Sequence, residues 1–182
     1  MRNFPVNTID TAPEASKHAL QALEGAFGFV PNVAGAMSTS PVLIDGLVAL
    51  FGKIHGGSFA EPEIQILLLT NAVTNRCDWA VAFHSALALG HGVEAEEVEA
   101  IRKGNAPEAP RHAALSTLAR TLIETRGRLD DQAIDAFLSA GFDQRHLLEV
   151  IAVVAASTIT NYTGSVTRPP LEAAFQPHAW IA

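Results

Sequence analysis

Sulfur is scarce in this chain: one cysteine, Cys77, stands among 182 residues. An internal disulfide framework is therefore excluded, and a chain long enough to bury a sizeable core has no need of one. Charge is sparse as well, at 17% of residues, and one-sided. Twelve Lys and Arg against 19 Asp and Glu leave a net charge of −7. No block of basic residues interrupts the sequence, so a nucleic-acid partner, which requires a clustered cationic face, is not expected. The longest unbroken apolar run, Val150 to Ala156, is far shorter than the roughly 18 residues of a membrane span, and no membrane association is expected. Residues 1–10 lack the charged and apolar regions of a secretion signal, which leads to the expectation of a cytoplasmic protein. The seven histidines form no HExxH pattern and have no paired cysteines beside them, so no metal is expected. No glycine loop of the phosphate-cradling kind follows a strand.

Apolar residues, by contrast, are abundant. They make up 48% of the chain, and mean hydropathy is +0.20. One domain of this size cannot easily hide so much apolar surface, so part of it is expected in a homo-oligomer interface. The apolar positions recur at helical spacing throughout. Thr11-Ala12-Pro13-Glu14 has capping-box spacing ahead of Ala15, Ala19, Leu20, Leu23 and Phe27. Ser40-Pro41 opens a helix that ends at Gly56-Gly57. Ser58 and Glu61 repeat the capping spacing before Glu63 to about Thr74, a segment apolar nearly all round and so expected to be a buried helix. Asp78 to Leu89, "GVEAEEVEAIRKG", Arg111 to Arg126 and Asp131 to Ala140 read as further helices. Asp143 caps a long apolar one, and "RPPLEAAF" is expected as a tail packed on a neighbour. No β-alternation and no interior linker is present. The expectation is an all-α, single-domain helical bundle over 1–182, with a core motif at about 40–125 and C-terminal helices at about 130–175.

The helix that holds Cys77 raises a chemical question. Residues 77, 80 and 84 share one helical stripe. Cys77 and His84 lie about 10 Å apart along the axis, at roughly 1.5 Å per residue, too far for a direct hydrogen bond. Position 80 lies within reach of both, and a cysteine there would complete a CxxC redox pair beside a histidine base. It is Ala80. Cys77 is thus either a reactive thiol at a helix start or a small buried residue. His84 is a base or a hydrogen-bonded core histidine, and Glu63 is a proton relay or a favourable charge at a helix start. Trp79 is a cleft wall or a packing residue.

The segments "GFVPN" (28–32), "SPVLIDGLVAL" (40–50), "EPEIQILLLTNAVTNRCDWAVAFHSALALGHG" (61–92), "SAGFDQRHLLEVI" (139–151) and "TNYTGSVTRPPLEAAF" (160–175) give the chain a resemblance to the carboxymuconolactone decarboxylase and alkylhydroperoxidase D-like superfamily. The resemblance implies an all-helical subunit assembled as a trimer or hexamer, without metal or organic cofactor. It implies that Cys77 matches the first cysteine of the peroxidase branch's CxxC pair and His84 its histidine, while Ala80 replaces the second cysteine. Trp79 stands where a histidine or tyrosine is common. Glu63 matches the relay glutamate of the preceding helix, and Gln65 fits the same place in a shifted register. The substrate pocket would then include Trp79, Ala80 and Gln65. The implied function is that of a peroxidase-related, antioxidant-type oxidoreductase acting on a small hydroperoxide. Without a second cysteine its sulfenate cannot resolve within the motif, so an external thiol reductant is expected. The alternatives are a cofactor-free decarboxylase or lyase using His84 on a small organic acid or lactone, and a non-catalytic oligomeric relative. Helix-start placement predicts a depressed Cys77 pKa, assisted by a water between Cys77 and His84 beside Ala80.

Overall fold

The computed structural model describes residues 4–181, and among them every regular element is helical. A 3-10 turn, Glu14–Ser16, leads into α1 (Lys17–Phe27), followed by α2 (Asn32–Met37), α3 (Pro41–His55) and α4 (Glu61–Thr74). Then come α5 (Asp78–Gly90), α6 (Ala95–Arg102), α7 (Pro110–Glu124), α8 (Asp131–Ser139) and α9 (Gln144–Thr167), with a last 3-10 segment, Ala173–His178. They form a single domain with one hydrophobic core.

The core is organised around α4. Every residue from Ile64 to Ala72 is buried, and the helix packs against α5, α6, α7 and α9. A helix enclosed on all sides cannot be amphipathic, which is why this segment reads as apolar all round. Its polar members are held inside: Thr70 donates to Ser116 of α7 at 2.9 Å.

α4 and α9 run parallel. At the start of α4, the Ser58 N–H donates to the Glu149 carboxylate at 2.8 Å and the Ser58 hydroxyl to its other oxygen at 3.1 Å. The contact is close because Gly57 carries no side chain; a Cβ there would lie 2.9 Å from that carboxylate. At the far end a second glycine, Gly164 of α9, sits against Cys77, just past the end of α4.

Two expected caps differ. Ser58 serves Glu149 instead of its own helix, and α4 begins at Glu61, with Pro62 in the first turn. Pro62 needs no N–H partner there, and the Ala60 N–H donates to the Glu63 carboxylate. Thr11 pairs with Thr8 in a turn, leaving α1 to start at Lys17 without a side-chain cap. Asp143 does cap α9, accepting from the His146 N–H at 2.9 Å.

The tail packs on neighbouring elements of its own chain. Glu172 accepts from the Trp79 indole N–H and the Asn32 N–H. Phe175 packs edge-on against Phe83, and Arg102 donates to the carbonyls of His178 and Ala179. Although no unbroken apolar run spans it, α9 is long and apolar enough in composition to cross a membrane. Its stripe of Val150, Val153, Ala156, Ser157, Thr160, Asn161 and Gly164 is nevertheless buried in the bundle, while Leu148, Ile151, Tyr162 and Val166 face outward.

Candidate active site around Cys77

The junction between α4 and α5 is built backwards from a tight turn. Asn75 closes α4, and Arg76 adopts the left-handed conformation (φ 52°) more often given to glycine at a helix C-terminus. Cys77 then returns to extended geometry as the residue capping α5, with its N–H donating to the Ala72 carbonyl at 3.0 Å. A serine or aspartate is usual at such a cap. The sulfur takes that place with the N–H groups of Ala80 and Trp79 and the Ser165 hydroxyl around it, without closing a well-formed cap hydrogen bond.

Across the sulfur lies α9. A Cβ at position 164 would stand 2.8 Å from Cys77 Sγ, so glycine there is what lets the helix approach. The close cover leaves Cys77 only 2% exposed, yet the residue borders a partly open cavity of about 510 Å³. The lining is Arg76, Cys77, Asp78 and Trp79 from one side, and Gly164, Ser165, Arg168 and Pro169 from the other.

Burial decides the state of the thiol. Loss of solvent pushes the Cys77 pKa above its ordinary value; the Ala80 N–H, the Ser165 hydroxyl and the Trp79 N–H pull it back only in part, and Asp78 adds to the rise. The depressed pKa expected from a helix start is thus overturned. The dipole and its N–H groups are present, but desolvation of a thiolate outweighs them.

His84 occupies different ground. It is buried, its Nδ1 lies 3.1 Å from Gln65 Oε1, and burial, with a smaller contribution from His55, lowers its pKa to about 3. The ring is therefore neutral near pH 7, with Nδ1–H donating to the amide oxygen. Neither His84 nor Gln65 nor Ala80 borders the cavity at Cys77, and Ala80 is fully buried. Gln65, then, is the residue of α4 that meets the histidine. Glu63 lies elsewhere: its carboxylate receives the Ala60 N–H and forms a 2.8 Å ion pair with Arg111. Trp79 lines the cavity, held by its indole bond to Glu172 at 2.9 Å and stacked on Phe83.

Of the residues expected to act together, the structure thus joins Cys77 with Trp79 and His84 with Gln65, and separates both pairs from Glu63. Sequence reasoning missed Arg76, Ser165 and Arg168. The one signal was Gly164, a glycine inside an apolar helix, which marks a close approach. Among the described residues, no group of three or more His, Cys, Asp or Glu gathers that could hold a metal ion.

Residues 43–119 match the carboxymuconolactone decarboxylase family. The matched stretch holds Cys77, Ala80 and His84, whereas Gly164, Ser165 and Arg168 come from outside it. An uncharacterized peroxidase-related protein from Ralstonia eutropha JMP134, described as an alkylhydroperoxidase AhpD core, is similar in structure. Its TM-score is 0.83 at 17% identity, over 95% of this chain and 93% of its own. The debrominase Bmp8 is similar with a TM-score of 0.79 at 18% identity, over 96% of this chain and 94% of its own. A peroxidase-related protein from Silicibacter sp. TM1040 gives 0.78 at 16% identity, over 96% and 95%. At these identities the likeness is one of fold. No curated protein sequence matches the chain.

Two predictions arise from this geometry. If Gly164 exists to clear the sulfur, Gly164→Ala should cost about 1–3 kcal/mol. Cys77→Ala, which removes Sγ, should recover about 1 kcal/mol of that cost in the double variant. Denaturant unfolding of the four proteins measures the coupling, and additive costs would refute the contact. The second prediction concerns His84, whose folded pKa of about 3 lies below its ordinary 6.5. The unfolded chain binds the proton first, so stability from this residue is complete above pH 6.5 and lost as pH falls toward 3. Thermal melts across that window should show a steeper loss for the native protein than for His84→Gln; parallel curves would contradict a neutral buried ring.

Proposed function

We propose that this protein is a one-cysteine oxidoreductase of the alkylhydroperoxidase D-like kind, in which Cys77 reduces a small hydroperoxide and an external thiol restores it. The observation that carries this reading is the cavity itself, which reaches a lone thiol surrounded by the Trp79 and Ala80 N–H groups and the Ser165 hydroxyl. In the reaction the Cys77 thiolate attacks the terminal peroxide oxygen and the O–O bond breaks. The alkoxide leaves and takes up a proton as the alcohol, while the sulfur is oxidised to the sulfenic acid. One external thiol attacks that sulfur and expels water, and a second releases Cys77 as the free thiol with formation of the external disulfide. Ala80 leaves no resolving cysteine within the motif. His84 and Glu63 take no part: one is a neutral core group bound to Gln65, the other an ion-paired helix-start group. A decarboxylase built on His84 is disfavoured for the same reason, since its imidazole does not border the cavity. The fold is shared with a debrominase, so a carbon-bound halogen is a second class of electrophile for the same sulfur.

A homo-oligomer is part of the proposal. The outward-facing Leu148, Ile151, Tyr162 and Val166 on α9, with Val42 on α3, give the apolar face such an assembly would bury.

Treatment with one equivalent of cumene hydroperoxide should add a single dimedone-trappable sulfenic acid at Cys77, seen by mass spectrometry. A monothiol should return it to the free form, and Cys77→Ser should show neither event. An unmodified Cys77 after excess hydroperoxide would end the reading.

A further inference from the structure

We propose that Arg76 and Arg168 form a carboxylate clamp at the mouth of the Cys77 cavity, so that the substrate of this thiol is a small electrophile bearing an anionic group. The inference rests on the reading of Cys77 as the reacting atom and adds to it the class of molecule delivered there.

The two arginines come to the cavity from unrelated parts of the chain. Arg76 comes from the turn that ends α4, Arg168 from the residue that closes α9, and both line the same space. Each holds a left-handed backbone, φ 52° and 49°, in which a glycine would sit without strain. Among the described residues neither guanidinium has a hydrogen bond or ion pair, a property they share with Arg126 and Arg128, which lie away from the cavity, whereas Arg102, Arg111, Arg120 and Arg145 are all engaged. Elsewhere the chain is acidic, with a net charge of −7. Here two arginines and a single carboxylate, Asp78, line one cavity, which is a local reversal of sign. A planar fork of donors on either side suits a carboxylate better than a neutral group. The Trp79 ring supplies an apolar wall for the body of the ligand, and Cys77 stands beside it. A short or aromatic acid carrying a hydroperoxide or a halogen fits all three features.

The test compares charged and neutral probes of one shape. Iodoacetate and iodoacetamide alkylate a thiol by the same displacement, and their rate ratio cancels any effect of the arginines on the thiolate. The iodoacetate-to-iodoacetamide ratio for Cys77 should exceed that of free cysteine. It should fall about fivefold in Arg76→Gln and again in Arg168→Gln, the range of partly solvated ion pairs, and it should fall with added salt. A ratio equal to that of free cysteine, or one unmoved by both substitutions, overturns the clamp. A second arm needs no reactive thiol. In Cys77→Ser carrying Trp180→Phe, benzoate should perturb Trp79 fluorescence at lower concentration than benzamide, and the two arginine substitutions should remove the difference. Equal responses to benzoate and benzamide overturn the clamp. Should Cys77 resist both alkylating agents while benzoate still binds selectively, the oxidoreductase reading fails and the anion site stands.

Discussion

The approach of α9 to Cys77 at Gly164 is the constraint on which the site depends. With a side chain at position 164 the two helices could not lie as they do, since its first carbon would already be 2.8 Å from the sulfur. The matching contact at the other end of α4, where Gly57 and Ser58 receive the Glu149 carboxylate, fixes the same pair of helices a second time. Pinned at both ends, α9 places Ser165 and Arg168 opposite the turn that carries Arg76 and Cys77. The cavity is therefore a consequence of helix packing and not of any one loop.

Burial sets the electrostatics of Cys77 and His84 in the same sense, toward the neutral form. It raises the thiol and lowers the imidazole, so each is held neutral near pH 7. A thiolate–imidazolium pair of the kind that activates paired catalytic residues would need both groups charged, and this protein stabilises neither. What borders Cys77 is two backbone N–H groups, a hydroxyl, and two arginines of the cavity lining, Arg76 next to it in the chain and Arg168 from α9. An anionic ligand seated on the arginines would also displace water from the sulfur, which strengthens the remaining polar contacts.

Much of the fold was legible in the sequence because its signals are local. The apolar run of α4 foretold a helix buried on every side, and Asp143 caps α9 as its spacing implied. Ser58 and Thr11 misled for one reason. A hydroxyl near a helix start caps that helix unless a nearer partner claims it, and the Glu149 carboxylate and Thr8 do so. Which elements the tail meets was not legible, because its partners, Trp79, Asn32 and Arg102, lie about seventy or more residues away in sequence. Cys77 and Trp79 were visible as neighbours on one helix turn. Gln65 rather than Glu63 opposite His84 turns on a two-residue register that periodicity alone leaves open. Arg168 and Ser165 were not legible, since Gly164 marks a close approach near the end of α9 but nothing local says that its partner is the start of α5.

Cys77 is a desolvated thiol beside a cavity, its pKa set more by burial than by the helix start. Thiolate absorbance near 240 nm, followed against pH with Cys77→Ser subtracted, measures this directly. The account predicts a midpoint above the ordinary cysteine value of about 8.5. A midpoint well below it, in the range of activated catalytic thiols, would contradict the account.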